Sequence, residues 1–448
     1  MAELNICRGA DQIGGGCTEI STGRERILID FGANLPGSDA AIQDAELAAK
    51  VFDGRTASAV LFTHYHGDHY GLYKEVPPKV PMYIGPLAKQ ILQVLVPRLD
   101  CRAEVKGTPI VKRMKTYRAG HWMDLSPNFS VLPLYVDHSA LDAYMLYINA
   151  AGKKILFTGD FRTHGIQSER GQLWAALEQY VVPNGVDVLV TEGTMLNRLE
   201  EARENPVQTE RDLGRAAFRA FQAHQYNFVM LSSTNLDSLM MFYHYTPRGK
   251  LFVCVSYQAQ VMLTAMKGME KKEPRWYQRS PYQPTIYIWR SSEDEDLSEL
   301  ERLGTALAQP IRILPANAGQ MSQRGFVFLT RKNSITRGHK AALDTFYPLD
   351  GSRDAQLIYS MWSGYLRGPH RDKELIKTLE GRKPVPMHTS GHAYIDAIAK
   401  LIETVDPKVV VPMHTECARE FKDFPEFTWC KDRVRPLNNG QVLSLDAL

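Results

Sequence analysis

The chain has 448 residues, 44% of them hydrophobic and 23% charged, with a net charge of +3. That length buries a large core and calls for two domains, or for one domain interrupted by another. The near-neutral balance excludes a molecule that is basic over its whole surface, and no apolar run approaches the roughly 20 residues of a membrane span. Met1-Ala2-Glu3-Leu4-Asn5 carries neither the basic nor the apolar region of a secretory signal, which predicts a cytoplasmic protein. Cys7, Cys17, Cys101, Cys254, Cys417 and Cys430 are scattered without a C-x-x-C pair, as expected of reduced thiols that are mostly buried.

The first segment reads as strands over Glu3–Cys7, Cys17–Ser21 and Arg26–Phe31. Gly14-Gly15-Gly16 has neither phosphate-loop spacing, so it reads as a tight turn. Asp30 ends the third strand, where it either caps a turn or orients a nearby histidine. The β-prone run Ala59–Phe62 then leads into Thr63-His64-Tyr65-His66-Gly67-Asp68-His69. In an extended or turning segment alternate side chains share a face, so His64 and His66 point together. Asp68 and His69 come round on the turn toward a second point. Imidazoles with a hard carboxylate suit zinc or manganese, and this pattern suits two such ions. A helix is expected to start near Gly71. Another is expected over Pro86–Val96, ended by Pro97. The basic run from Arg98 to Arg118 reads as solvated surface. Strands follow over Phe129–Tyr135, Tyr144–Asn149 and Lys154–Thr158. Their ends carry His138 and Asp160, and the two oxygens of a carboxylate can each take one cation. Asp187–Thr194 is a further buried strand, ending near Glu192.

The character then changes. A charged helical stretch from Asn197 to about Gln225 precedes a strand at Asn227–Leu231 and the turn Ser232-Ser233-Thr234-Asn235. Helices and strands alternate over the following residues, as in a parallel α/β unit inserted as a second domain. The expected divisions are 1–196, 197–383 and 384–448. The last of these holds His388-Thr389-Ser390-Gly391-His392-Ala393, a helix over Tyr394–Glu403 and a strand over Lys408–Val411 that runs on to His414. If His414 joins the cation ligands, this stretch folds back onto the first domain.

Taken in order, T-H-Y-H-G-D-H at Thr63–His69, then His138, Asp160, Glu192, H-T-S-G-H-A at His388–Ala393 and P-M-H-T-E at Pro412–Glu416 resemble the β-CASP branch of the metallo-β-lactamase superfamily. That branch includes ribonuclease J and the cleavage-and-polyadenylation endonuclease. The resemblance implies an α/β fold, a four-layer αββα sandwich with an inserted parallel α/β domain. It implies one zinc held by His64, His66 and His138, a second held by Asp68, His69 and His414, and Asp160 bridging both, with manganese as the alternative metal. Asp68, Glu192 and His392 form the implied catalytic set, Glu192 keeping His392 protonated as a general acid. His388, Ser390, Ser232, Ser233 and Asn235 would hold substrate phosphate, although Ser and Asn at a strand–helix turn are also ordinary caps. Histidine at position 414 matches the RNA-cleaving members, whereas the DNA nucleases of the branch carry valine there.

The implied function is metal-dependent hydrolysis of single-stranded RNA. A DNA nuclease, a small-molecule phosphodiesterase and a non-catalytic RNA-binding or scaffold subunit are the alternatives. The continuation of Leu357–Ser360 into Met361-Trp362-Ser363-Gly364 is unlike ribonuclease J, which leaves exo- or endonucleolytic action open. The C-terminal domain that ribonuclease J uses for assembly has no counterpart here, so a monomer or dimer is expected, with no membrane partner.

Overall fold

The structure, a computed structural model, describes residues 2–23, 25–38, 40–100, 104–269, 284–290, 296–314, 319–368 and 371–448. Cys101 and Arg102 lie outside the described residues. The chain forms two compact units, Met1–Asn205 with Gly391–Leu448, and Pro206–Ser390. None of the described helices is long and apolar enough to cross a membrane.

The first unit contains two sheets. In one, Val442–Ser444, Ala2–Arg8, Cys17–Thr22, Glu25–Ile29, Ala59–Leu61, Met82–Ile84 and Lys115–Thr116 lie side by side. Its pairs are antiparallel as far as Glu25–Ile29 and parallel beyond it. In the other, the order is Val409–Met413, Val188–Glu192, Lys153–Phe157, Ala143–Ala150, Phe129–Val136 and Met123–Ser126. The first three of these strands run parallel to one another and the rest pair antiparallel.

The side-chain period of two explains the layering of this unit. Phe129, Val131, Leu146, Ile148, Ile155, Phe157, Val188, Val190 and Val411 join Leu4, Ile6, Ile20, Ile27, Ile29 and Leu61 in one core between the sheets. Their neighbours in sequence, Leu132, Leu134, Met145, Tyr147, Leu156, Leu189 and Val410, turn the other way. They meet Ile398, Leu401 and Ile402 of the helix Ile395–Val405. Each such residue, fully buried, contributes roughly 1.5–3 kcal/mol. On the outer side of the first sheet lies the helix Asp44–Phe52. Arg8 reaches its Asp44 at 2.9 Å, Arg26 donates to the Val51 carbonyl at 2.8 Å, and Phe52 meets Phe31 edge to face. These layers are those of an αββα sandwich.

The second unit has one sheet, ordered Ile311–Ile313, Ile286–Ile288, Leu251–Cys254, Phe326–Thr330, Tyr226–Leu231, Ala355–Ser360 and Val385–Pro386. Every pair in it is parallel. The inner strands are buried along nearly their whole length, as parallel sheets covered on both faces require, while the edge strands Ile311–Ile313 and Val385–Pro386 are largely exposed. The inserted parallel α/β fold is therefore present.

Among the expected elements that differ in their bounds are two helices of the first unit. The helix expected near Gly71 is a single turn at Gly67–Tyr70, which Gly71 ends. The helix expected to stop at Pro97 runs from Pro86 to Leu99 with Pro97 inside its last turns. Its N-terminus is held by Asp142, whose Oδ2 accepts from the backbone of Leu87 at 2.7 Å and of Ala88 at 3.0 Å. A proline so near a C-terminus costs only one intrahelical bond.

Candidate metal centre

The strand arrangement of the first unit gathers the polar ends of several strands. Lys153–Phe157, Val188–Glu192 and Val409–Met413 run parallel, with Phe157 level with Val190 and Glu192 level with Met413. Asp160, Glu192 and His414 therefore leave the same edge of the sheet. Phe129–Val136 pairs antiparallel with a strand that itself opposes Lys153–Phe157, so it ends at that edge too and delivers His138. The first sheet contributes Thr63–His69 after Ala59–Leu61.

Two glycines make the approach possible. A Cβ on Gly32 would sit 1.6 Å from the Asp68 carbonyl, and one on Gly159, whose φ is +56°, would come within 2.8 Å of Thr63. Around Gly32 the backbones of Gly16, Phe31 and Ala33 donate to the carbonyls of Asp68, His69 and Gly67 at 3.0, 2.7 and 2.9 Å. The turn that carries the ligands is thus pinned by main chain.

The potential ligand atoms converge in overlapping sets. In each of three groups — His64, His66 and His138; Asp68, His69 and His414; and His64, His69 and Asp160 — one ligand atom per residue lies within 4.8 Å of the others. His66 Nδ1 faces His138 Nε2 at 3.1 Å. Asp160 Oδ2 is 3.2 Å from His69 Nε2 and 3.9 Å from the Nε2 atoms of both His64 and His138. Asp68 Oδ2 stands 3.7 Å from His69 Nε2 and 3.4 Å from His414 Nε2.

Whether this set fits cations can be read from its unsatisfied atoms. His64 Nε2, His69 Nε2 and Asp160 Oδ1 are buried and have no hydrogen-bond partner. Buried polar atoms are nearly always paired, and bare nitrogens and carboxylate oxygens facing one another are what a divalent cation satisfies. The set fits divalent cations.

The far sides of the His64, His69, His138 and His414 rings are held, which fixes the lone pair each turns inward. His138 Nδ1 donates to the Gly391 carbonyl at 2.6 Å, and His69 Nδ1 to Asp30 Oδ2 at 2.8 Å. His64 Nδ1 lies 3.1 Å from Thr63 Oγ1, which reaches Asp30 Oδ2 at 2.9 Å. Asp30 also accepts from the Thr63 backbone at 2.7 Å. It is therefore both a turn cap and a histidine orienter. His414 Nδ1 is 2.9 Å from Thr194 Oγ1.

The electrostatics follow from burial and crowding. Burial, together with neighbouring histidines, holds His64 and His138 well below the usual imidazole range, and burial carries His66 down to about 4. These rings are neutral donors. Burial opposes a proton on His69, but the carboxylates of Asp160, Asp68 and Asp30 outweigh it and raise that group. Burial likewise works against charge on Asp68 and Asp160, yet the surrounding imidazoles hold both below the carboxylate range. The cluster collects positive charge among its carboxylates, and a cation competes for the same place.

Beside it lies His392, whose Nδ1 is 3.1 Å from Glu192 Oε2 and 3.5 Å from Asp160 Oδ2. Burial would lower His392, but Glu192 and then Asp160 raise it. Glu192 is itself steadied by the Phe161 backbone, which donates to Oε1 at 2.8 Å.

Fold and cluster together resemble those of the metallo-β-lactamase proteins. Residues 14–172 match the family model described as Metallo-beta-lactamase superfamily. Within that class the resemblance is to the β-CASP branch. Ribonuclease J of Sinorhizobium meliloti is 29% identical over 146 residues, covering 31% of this chain and 24% of that protein. A probable RNase, MJ4 of Methanocaldococcus jannaschii, is 24% identical over 214 residues, covering 44% of this chain and 47% of that protein. The chain thus aligns with less than half the length of either relative. A crystal structure of a protein of unknown function from Enterococcus faecalis V583 shares the fold, with a TM-score of 0.69, 19% identity and 99% coverage of both chains.

The structure brings His64, His66, Asp68, His69, His138, Asp160, Glu192, His392 and His414 together in the first unit. The residues singled out in the sequence as phosphate contacts belong to the second unit. There Asn235 accepts from the Ser238 backbone at 3.2 Å and caps the helix Leu236–His244. Ser232 Oγ meets Thr234 Oγ1 at 2.7 Å, and Ser233 Oγ accepts from Gln258 Nε2 at 3.1 Å. His388 and Ser390 lie in its last residues. Sequence reading missed Thr63, Thr194 and the Gly391 carbonyl. The two threonines flank ligand motifs and could have been suspected, but a backbone carbonyl leaves no trace in side-chain chemistry.

Proposed function

We propose that the chain is a metal-dependent ribonuclease that hydrolyses phosphodiester bonds of single-stranded RNA. The observation that carries this reading is the convergence of six imidazole and carboxylate side chains and Asp160 in overlapping sets, with bare buried atoms among them. The relatives named as ribonucleases support RNA as the substrate class.

His64, His66 and His138 would hold one zinc ion and Asp68, His69 and His414 a second, with Asp160 shared and manganese able to replace zinc. Bound cations of this kind activate water at neutral pH and offset charge on the phosphoryl oxygens. The chain's own groups supply the rest. His392, kept protonated by Glu192, donates its proton to the departing 3′ oxygen, leaving a 5′-phosphate and a 3′-hydroxyl. Glu192 holds the ring in place, and the Phe161 backbone holds Glu192. His388, Ser390, Ser232, Ser233 and Asn235 remain the proposed contacts to substrate phosphate.

The test is a timed digestion of 5′-labelled, 5′-monophosphorylated single-stranded RNA with added zinc or manganese, with His414→Ala as control. Labelled mononucleotide at the earliest times identifies a 5′-exonuclease, and labelled internal fragments an endonuclease. Cleavage of no RNA under any metal sinks the proposal.

A further inference from the structure

The ring nitrogens of His64, His69, His138 and His414 that face away from the cluster have anchors, and the anchors differ in kind. His69 leans on the Asp30 carboxylate directly and His64 through Thr63, while His138 leans on a backbone carbonyl. His414 leans on a neutral hydroxyl, that of Thr194, at 2.9 Å. The same oxygen lies 3.2 Å from the His414 carbonyl. A hydroxyl has one proton to give, and a carbonyl can only accept. Thr194 therefore donates to the carbonyl of His414 and accepts from its Nδ1–H. Nε2 is left to face Asp68 Oδ2, 3.4 Å away.

His414 needs this hold. Its φ is +50°, the left-handed region that a residue with a Cβ rarely occupies. The strain is fixed from both ends, by the His414 backbone donating to the Gly9 carbonyl at 2.8 Å and by Thr194 gripping its carbonyl. Thr194 can do so because it follows Glu192 off a strand whose register sets Glu192 level with Met413. It is 1% exposed, so no water competes for the hydroxyl.

We infer that Thr194 is the positioning residue of His414, selecting its tautomer and so setting the affinity of the cation that His414 and Asp68 share. This rests on the metal reading of the cluster above, though not on RNA as substrate.

The experiment is zinc binding to the whole chain, measured by titration against a competing chelator and by bound-metal content after dialysis, for wild type, Thr194→Val, Thr194→Ala and Thr194→Ser. Thr194→Val keeps the shape and removes the hydroxyl. It should weaken one of two zinc ions roughly 10- to 100-fold and leave the other unchanged, with Thr194→Ser restoring both. Thr194→Ala removes the hydroxyl without adding bulk and gives the same readout should the valine variant fail to fold. Two zinc ions held as tightly in the valine or alanine variant as in wild type overturn the inference. So does a serine variant as weak as the valine one. Loss of one zinc in a protein that cleaves no RNA would leave this inference standing and remove only the ribonuclease reading.

Discussion

At the scale of single residues, Asp30 is the group that orders two of the cluster's histidines at once. It accepts from the Thr63 backbone, from the Thr63 hydroxyl and from His69. Through Thr63 it also reaches His64, so one carboxylate orients ligands assigned to both cations. It does so at a φ of +57°, a strained backbone that only a dense set of bonds maintains. Asp30→Asn keeps the volume, but it puts an amide NH2 where one oxygen accepted and removes the charge that favours the His69 N–H. The expected result is a 10- to 100-fold loss of zinc affinity with the fold retained, measured by competition with a chelator and by circular dichroism. Wild-type affinity in that variant would show that His69 and His64 are oriented by something else.

At the scale of elements, what was legible in the sequence was what side-chain period and type encode. The alternation of Leu132 and Leu134 with Val131 and Phe129 announces a strand buried on both faces. The clustering of ligand types at strand ends announces the centre. What was illegible depends on neighbours far away in sequence. Pro97 should have closed its helix by local rules, yet the helix runs to Leu99. Gly71 looked like a helix start but ends one turn, because Gly32 and its neighbours clamp that turn from the first sheet. The carbonyl that orients His138 comes from Gly391, 253 residues on. The core between the sheets is the rigid base for all of this, and Leu146 is fully buried within it. Leu146→Ala should cost about 2–5 kcal/mol in urea unfolding, since the transfer and cavity terms add. A cost below about 1 kcal/mol would mean that the two sheets repack around the gap.

At the scale of the whole molecule, the two units respond to different conditions, and local hydrogen exchange can read each by itself. In the second unit, burial holds His244 and His339 at about 4. An unfolded chain has them near 6.5. Between these values the unfolded chain takes up protons that the folded unit refuses. The stability from this source is therefore full above about pH 6.5 and falls as the pH drops toward 4. The loss is on the order of 2 kcal/mol per histidine at pH 5. Protection of the helix Leu236–His244 and of the strand Phe326–Thr330 should fall between pH 7 and pH 5, and His339→Gln should blunt that fall. In the first unit the condition that matters is the cation. Without one, His64 Nε2, His69 Nε2 and Asp160 Oδ1 remain buried and unpaired. An unsatisfied buried group costs about 1–3 kcal/mol, and ligand binding to the folded state alone adds stability by mass action. Chelation at pH 7 should therefore speed exchange in Ala59–Leu61, Gly67–Tyr70 and Val409–Met413, while the strand Phe326–Thr330 of the second unit keeps its protection. Added zinc should reverse the change. Equal protection with and without chelator would mean that these ligands close on one another with no cation between them, and the metal assignment would fall with it.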